Sequence, residues 1–325
     1  EMSSVTKDWR QQVAYQIYPR SFADSNGDGI GDLPGITSKL DHLEALGVGI
    51  VCLSPVYDSP NADNGYDIRN YRSIMKEFGS MADFDAMLAG MQQRGIRLMM
   101  DLVVNHTSDE HEWFKQARSA RSNAFHDYYI WHDPVEGREP TNWEAAFNGS
   151  AWTLNEETGE YYLHMFSKKQ PDLNWENPKV RQEVYDLMHF WLKKGVSGFR
   201  CDVINIIYKT SLEDGKKQLA LKGLEHYLSQ EGNHQILKEL RTEVLDQYDC
   251  FTVGETVLVT PKTARDLCSP ERQELDMIFS FEHMEADQYY IKWFKRKFNS
   301  MKFCTTLSTW QQELDWNANY FENHD

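Results

Sequence analysis

Cysteine is scarce in this sequence, and the few cysteines present form no recognisable framework. The 325 residues contain five cysteines, at positions 52, 201, 250, 268 and 304, with no Cys-x-x-Cys pair. An odd number without paired spacing argues against a disulfide scaffold and against a structural zinc site. Three of these cysteines, at 52, 201 and 250, lie in apolar runs, where a free cysteine behaves as a small hydrophobic residue. The pattern indicates a reducing compartment.

Basic charge and long hydrophobic runs are lacking as well. Lysine and arginine number 34 against 50 aspartates and glutamates, which gives a formal net charge of −16. Because nucleic-acid binding needs a basic face, that class of partner is disfavoured. No apolar run reaches the roughly 20 residues that cross a membrane, and the first residues show no hydrophobic core of a signal peptide. We therefore expect a cytoplasmic protein with neither a membrane nor a nucleic-acid partner.

A unit made of a helix, a glycine and a short apolar strand recurs along the chain. Helical apolar spacing ends at Gly47, Gly95 and Gly195, and an apolar run follows each glycine. Alternation of helices with nearly continuous apolar strands is typical of parallel βα units. Seven strands are predicted, at 15–18, 48–54 and 96–104, in the middle of 198–205, and at 250–254, 277–281 and 319–323. The α/β class is therefore expected, as a (β/α)8 TIM barrel, because polar motifs follow many of the strands and do not cluster at one switch point.

The repeating pattern is interrupted once and has no eighth unit. Residues 107–175 are rich in tryptophan, tyrosine, histidine and asparagine and are too long for a simple loop, which predicts a subdomain inserted after strand 3. Residues 1–106 and 176–325 would form the first and second parts of the catalytic barrel. The sequence ends at Asp325, before an eighth βα unit. Since a barrel cannot close without its last strand, we expect this segment to be unstable by itself.

Acidic residues end several of the predicted strands. Arg200 and Asp202 have the same parity on one strand, so both side chains project to one face. There the guanidinium is expected to lower the carboxylate pKa and to keep the carboxylate charged, as a nucleophile requires. A second apolar run ends at Glu255, and the chain closes on Asn323-His324-Asp325. The Arg200–Asp202 pair alone fits a structural ion pair equally well.

Four motifs in this order resemble the alpha-amylase superfamily of glycoside hydrolases. They are Asp101-Leu102-Val103-Val104-Asn105-His106, Gly198-Phe199-Arg200-Cys201-Asp202-Val203-Ile204-Asn205, Phe251-Thr252-Val253-Gly254-Glu255 and Asn323-His324-Asp325. Each motif is weak alone, and the ordered set is specific. The resemblance implies Asp202 as nucleophile, Glu255 as acid/base and Asp325 as a third carboxylate that steadies the transition state. Glu255 is expected to have a raised pKa because other carboxylates lie near it.

The resemblance also implies residues that bind the sugar. Asp67 would hold the outer hydroxyls of the terminal sugar, and Tyr66 would stack on its ring, although the Asn64 to Asp67 segment also reads as an ordinary turn. His106 and His324, as neutral imidazoles, would donate to sugar hydroxyls. Arg200 would complete this set beside the nucleophile.

A further segment resembles one branch of the superfamily. Gln170-Pro171-Asp172-Leu173-Asn174 is similar to the QPDLN region of oligo-1,6-glucosidases, which implies an exo-acting enzyme with a pocket for one terminal glucose. Phe147 and Phe166 are candidates to line that pocket, and core packing is the alternative for both. In this branch a valine at the position of Val203 goes with α-1,6 linkages, a preference worth about 1–3 kcal/mol.

A short acidic loop near the start predicts a metal site. Its potential ligands recur at every second residue and match a calcium loop through the ninth position: Asp24, Asn26, Asp28, the carbonyl of Ile30 and Asp32. Gly35 stands where an EF-hand has its final glutamate, so the loop is not an EF-hand. Three aspartates this close would repel one another without a cation. We expect a structural Ca²⁺, with Mg²⁺ or a merely solvated turn as alternatives, and no organic cofactor.

The expected activity is that of a retaining, exo-acting α-glucosidase that hydrolyses α-1,6 bonds at the non-reducing end of isomalto-oligosaccharides. The same branch includes trehalose-6-phosphate hydrolases and α-1,4-glucosidases, which are the alternatives. A phosphate would need a cationic pocket, for which Lys168 and Lys169 are candidates. A non-catalytic amylase-like binding protein is a more distant alternative, and it would lack part of the carboxylate set. The partner is a small oligosaccharide, and the oligomeric state is left open.

Overall fold

The computed structural model describes residues 8–218, 220–289 and 291–324. Six parallel strands pair in chain order to form the central sheet. They are β1 (Val13–Ile17), β2 (Val48–Leu53), β3 (Arg97–Leu102), β4 (Gly198–Cys201), β5 (Phe251–Glu255) and β6 (Met277–Phe279). Strands β2 and β5 are buried along their whole length, as expected for strands covered on both faces. The prediction of consecutive parallel βα units is confirmed.

Helices cover the sheet between successive strands. The α-helices are Pro19–Phe22, Leu33–Ser38, Leu40–Ala45, Met81–Gln93, Glu112–Ala117, Pro178–Lys194, Glu231–Glu243, Pro261–Cys268 and Ser300–Glu313. Pro178–Lys194 shows how the sequence fixes their ends. The Asn177 side chain accepts a hydrogen bond from the first turn, and Gly195 closes the helix in the left-handed conformation with φ 107°. Its buried stripe, from Val180 to Leu192, packs on the sheet.

The prediction of a seventh strand at 319–323 is wrong for this structure. Residues 317–320 and 322–324 have no regular secondary structure, and the sheet ends at β6. The segment is held by side chains, because Tyr320 packs edge-on against Phe279 and Phe281. Its carbonyl faces His283 Nε2 at 2.8 Å. The strand prediction therefore identified a segment that packs against the sheet without joining its hydrogen-bond ladder.

The inserted region folds around a small antiparallel sheet. Its three strands are Trp131–His132, Trp152–Asn155 and Glu160–Leu163. At the end of the region, Asp172 forms a bridge with His106, which brings the segment from Gln170 to Asn174 back to the end of β3. Two short antiparallel ribbons lie elsewhere, Tyr57–Asp58 with Asn70–Ile74 and Gln288–Tyr289 with Ile291–Lys295. The insert thus packs beside the carboxyl ends of the barrel strands.

The structure also shows the state of the cysteines and the character of the helices. All five cysteines are free thiols. Across residues 8–218, 220–289 and 291–324, no helix combines the length and the apolar character needed to cross a membrane.

Candidate active site

Arg200 on β4 is the centre of a buried cluster of carboxyl groups. Its register places it beside Asp101 on β3 and Val253 on β5. Nη1 donates to Asp202 Oδ1 at 2.6 Å and to Asp101 Oδ1 at 2.9 Å, and Nη2 donates to Glu255 Oε2 at 2.7 Å. One rigid, planar guanidinium therefore holds Asp202 and Glu255 as close neighbours.

Burial and charge give Asp202 and Glu255 different pKa values. Burial raises the pKa of Glu255 to about 8, and the charge of Asp202 adds to the effect. Burial also raises the pKa of Asp202 to about 6, although Arg200 opposes it. The pKa of Glu255 is thus raised, in the direction predicted. The direction predicted for Asp202 is wrong, because loss of hydration outweighs the arginine. At neutral pH the pair would still hold Asp202 ionised and Glu255 protonated.

Aromatic and histidine side chains form one wall beside this cluster. The Tyr66 hydroxyl donates to Asp101 Oδ2 at 3.0 Å and lies 2.7 Å from His324 Nε2. The rings of Tyr66 and His324 stack with 5.4 Å between their centroids. Gln16 Nε2 lies 2.9 Å from His324 Nδ1 and fixes the other side of the imidazole. The structure therefore brings Tyr66 and His324 together next to the carboxyl cluster.

The predicted sugar-binding residues of the insert converge on His106. His106 Nε2 lies 3.0 Å from the Tyr66 carbonyl, and Gln170 Nε2 lies 3.2 Å from the same ring nitrogen. Phe166 packs against the imidazole with 5.2 Å between ring centroids, and Phe147 packs in turn against Phe166 at 5.6 Å. Phe147 is 59% exposed, so its ring is open to a ligand as well as to solvent. Core packing does not account for Phe147.

Asp67 is placed differently from its predicted role. The side chain is fully buried, and both carboxylate oxygens accept hydrogen bonds within its own loop. Oδ1 accepts from the Ser59 hydroxyl at 3.0 Å and from the Asp63 N–H at 2.9 Å, and Oδ2 accepts from the Ala62 N–H at 2.8 Å. In this conformation Asp67 shapes the loop that carries Tyr66. Its predicted contact with the sugar hydroxyls stays a prediction.

Val203, directly after the nucleophile candidate, has a strained backbone. Its φ of 37° and ψ of 39° lie in the left-handed region, which a β-branched residue rarely adopts and which costs about 1–3 kcal/mol. Its N–H donates to Glu255 Oε2 at 3.3 Å. Its side chain packs into the small core of the insert, which includes Trp143 and Met165. Val203 thus links Glu255 to the insert, because its backbone N–H bonds the carboxyl group and its side chain packs in the core of the insert.

One predicted residue lies outside the described part of the chain, and some relevant residues were missed. Asp325 is not among the described residues, so its predicted role as third carboxylate stays a prediction. Asp101, which bonds both Arg200 and Tyr66, was not singled out as a site residue. Its position at the start of the first motif was the signal available in the sequence. Lys209 was also missed, because nothing in its local sequence marks it as buried.

The acidic loop near the start does not gather its predicted ligands in this conformation. Asp24 accepts from the N–H groups of Gly27 and Gly29 at 2.7 and 2.8 Å. Asp32 Oδ1 caps the helix Leu33–Ser38 through the Gly35 N–H at 2.6 Å, and Asp32 Oδ2 accepts from the Ser25 hydroxyl of the loop at 2.7 Å. Within the described residues no group of three or more histidine, cysteine, aspartate or glutamate side chains is arranged to hold a metal ion. The Ca²⁺ expected in this loop therefore stays a prediction.

Comparisons with known proteins agree with this geometry. The "Alpha amylase, catalytic domain" family matches residues 16–325. Oligo-1,6-glucosidase of Parageobacillus thermoglucosidasius is 57% identical over 98% of this chain and 58% of its own length. Trehalose-6-phosphate hydrolase of Bacillus subtilis (strain 168) is 46% identical over 98% and 57%. The solved trehalose-6-phosphate hydrolase of Bacillus licheniformis superposes with a TM-score of 0.94 at 46% identity, over 98% of this chain and 58% of that one. This chain therefore spans less than two thirds of the length of these relatives.

Proposed function

This chain belongs to the alpha-amylase catalytic-domain family, and from that membership and its site geometry we propose that it is the catalytic part of a retaining, exo-acting α-glucosidase. The observation that carries the proposal is that Asp202 and Glu255 both accept hydrogen bonds from the Arg200 guanidinium. Burial and charge raise the pKa of Glu255 above that of Asp202. Two carboxyl groups with separated pKa values are what retaining glycoside hydrolysis requires.

The proposed reaction assigns one task to each group. The Asp202 carboxylate attacks the anomeric carbon while protonated Glu255 gives its proton to the glycosidic oxygen, so the C–O bond breaks and a glucosyl ester forms. Glu255, now a carboxylate, takes a proton from water, and the resulting hydroxide displaces Asp202. Arg200 holds both carboxyl groups in place through the two steps. Two displacements at one carbon return the original α configuration.

We propose α-1,6-glucosidic bonds as the preferred linkage. Support comes from Val203, from the segment Gln170 to Asn174 beside His106, and from the 57% identity with an oligo-1,6-glucosidase. For a phosphorylated substrate, Lys168 and Lys169 were the candidate cations. Both are exposed, and Lys169 pairs with Asp109 at 3.5 Å. These two lysines do not form a buried phosphate pocket.

The linkage proposal predicts a rate difference between two disaccharides. In the intact natural protein, initial glucose release from isomaltose is expected to exceed that from maltose by about 10-fold or more. The V203T variant is expected to move the ratio toward maltose, because it changes the polarity beside the leaving sugar. Glucose is measured by a coupled assay. Faster release from maltose would discard Val203 as a guide to linkage. Release from trehalose-6-phosphate alone would favour the alternative branch.

The pKa values of the pair predict a bell-shaped pH profile. Asp202 must be ionised, so kcat/KM is expected to rise as the pH increases through about 6. Glu255 must be protonated, so kcat/KM is expected to fall as the pH increases through about 8. The E255Q variant provides the control with a nitrophenyl glucoside, whose leaving group needs no proton. There the alkaline limb should vanish while the acid limb remains. An alkaline limb that persists in E255Q would assign it to another group.

We further propose that the protein works in the cytoplasm and that the loop 24–32 binds one Ca²⁺. The five free thiols support a reducing compartment. For the cation, the support is the alternating ligand pattern and the repulsion among three aspartates. Binding would require Asp32 Oδ2 to exchange the Ser25 hydroxyl for the cation, while Oδ1 keeps the helix cap on Gly35.

Calcium binding in this loop is expected to raise the melting temperature. A calcium concentration about 100 times the Kd would stabilise the fold by about 2.7 kcal/mol. The measurement is a thermal melt with and without Ca²⁺, together with metal analysis after purification without chelators. The D28N variant, which leaves the Asp32 cap in place, should lose the calcium response. Absence of bound calcium and of any thermal shift in the natural protein would overturn the proposal.

A further inference from the structure

A buried lysine outside the reacting pair ties together the loops that carry the sugar-binding residues. Lys209 lies seven residues after Asp202, and its side chain is 3% exposed. Its ammonium group lies 2.7 Å from Asp172 Oδ2, and the Asp172 side chain is fully buried. Nζ also donates to Asn105 Oδ1 at 2.8 Å. A lysine this buried is rare in proteins and requires a specific partner. It joins the end of β3, the end of the insert and the loop after β4.

The contact with Asn105 determines the state of the neighbouring histidine. An ammonium group only donates, so the amide atom that faces Lys209 must be the oxygen of Asn105. Asn105 Nδ2 then faces His106 Nδ1 at 3.3 Å and donates to it. On the other side of the ring, the Tyr66 carbonyl at 3.0 Å can only accept, so the proton must sit on Nε2. Both contacts require the same neutral tautomer of His106.

The remaining partner of His106 does not disturb this arrangement. Gln170 Nε2 directs its hydrogens to Asp63 Oδ2 at 2.8 Å and to the Tyr66 carbonyl at 3.4 Å. The charged groups that act on His106 are Asp172, Asp63 and Lys209. Burial and the positive charge of Lys209 lower the pKa of His106, whereas Asp172 and Asp63 raise it. The Lys209–Asp172 pair therefore balances the charge near the imidazole.

We propose that Lys209 is a positioning residue that keeps His106 neutral, with its proton on Nε2, by orienting Asn105 and by neutralising Asp172. The segment from Gln170 to Asn174 thereby acquires a second task, since Asp172 supplies the counter-charge that allows the lysine to be buried. The consequence for catalysis rests on the proposed function: His106 holds the carbonyl of Tyr66, whose ring is expected to stack on the sugar, so a change in the imidazole would disturb that ring. The state of the imidazole itself does not depend on that function.

The experiment follows the His106 ring directly by NMR. The intact natural protein is labelled at histidine Cε1, and the His106 signal is assigned by its absence in an H106Q variant. That signal is then titrated between pH 5 and 8 in wild type, in K209M and in K209M/D172N. Wild type is expected to stay neutral throughout. In K209M the unbalanced Asp172 should raise the His106 midpoint by about one pH unit or more. The double variant K209M/D172N removes both charges, so the titration midpoint of His106 should return toward its wild-type value. K209Q, which makes the same charge change with a polar side chain, replaces K209M if that variant does not fold.

Activity on isomaltose is measured on the same variants as a separate reading. K209M is expected to raise KM at pH 6 more than it lowers kcat, and the defect should shrink at pH 8, where His106 is neutral again. A His106 midpoint that does not move in K209M or K209Q would overturn the proposal, whatever the activity. So would a double variant whose His106 titrates like that of K209M. If the wild-type protein shows no activity on isomaltose, that result would instead count against the proposed function.

Discussion

Replacing Asp202 with asparagine is expected to lower kcat/KM for isomaltose by about 10⁴-fold or more, with little change in stability. The amide has nearly the same shape as the carboxylate, and it cannot form the glucosyl ester. Asp202 is also one of three carboxyl groups around Arg200, so the guanidinium keeps Asp101 and Glu255 as partners. Steady-state kinetics on the intact natural protein give the rate, and a thermal melt of the same sample shows that the fold persists.

The E255Q variant is the matched control for the D202N variant, because it also exchanges a buried carboxyl group for an amide beside Arg200. With a nitrophenyl glucoside, E255Q should still release nitrophenol in a rapid first turnover, since the leaving group needs no proton. D202N should release none, because its first step lacks a nucleophile. Equal first-turnover amplitudes in the two variants would contradict the assignment of roles to these residues.

Replacing Arg200 with methionine is expected to cost about 3–5 kcal/mol of folding free energy, the largest stability effect of any single substitution in the site. Arg200 is buried and bonds Asp101, Asp202 and Glu255. Without it, three adjacent buried carboxyl groups lose their common cation, and the variant can relieve the repulsion only by taking up protons. Urea unfolding at pH 5 and pH 8 measures both effects. The deficit should be larger at pH 8, where more of these groups would be ionised.

The control for the R200M variant is R94M, which removes an arginine from an exposed pair. Arg94 bonds Asp41, whose side chain is 86% exposed. An exposed ion pair contributes about 0–1 kcal/mol, so R94M should unfold almost like wild type at either pH. If R200M lost no more stability than R94M, the carboxyl cluster would not depend on its arginine. The account of pKa values in the site would then fail.

The sequence predicts the sheet and the reacting pair because both depend on local pattern. A glycine-ended helix followed by an apolar run is enough to find β2, β3 and β4, and a polar motif at the end of a strand identifies Asp202 and Glu255. The segment predicted as a strand at 319–323 packs without pairing, since an aromatic residue such as Tyr320 can pack against a sheet from outside its hydrogen-bond ladder. Pairing depends on the neighbouring backbone, which local sequence does not contain.

The sequence could not predict how charges balance across distant segments. The shift in the pKa of Asp202 is a competition between burial and Arg200, and its sign follows from the depth of the site and not from the motif. Lys209 and Asp172 are 37 residues apart, and each reads alone as an ordinary surface charge. Val203 is similar, because no propensity predicts a valine in the left-handed region. These features arise where the insert meets the barrel.

The measurement that tests the central claim most directly is the anomeric configuration of the first glucose released from isomaltose. Proton NMR follows the digestion by the intact natural protein before mutarotation mixes the anomers. Only the glucose from the non-reducing end reports the stereochemistry, because the reducing-end glucose leaves as the equilibrium mixture of anomers that isomaltose already carries. If Asp202 and Glu255 act as nucleophile and acid/base on one guanidinium, α-glucose first appears in excess of that mixture and the β anomer grows in later. If β-glucose first appears in excess of that mixture, water attacks directly and Asp202 is not the nucleophile. If no glucose appears, the proposed substrate class is wrong.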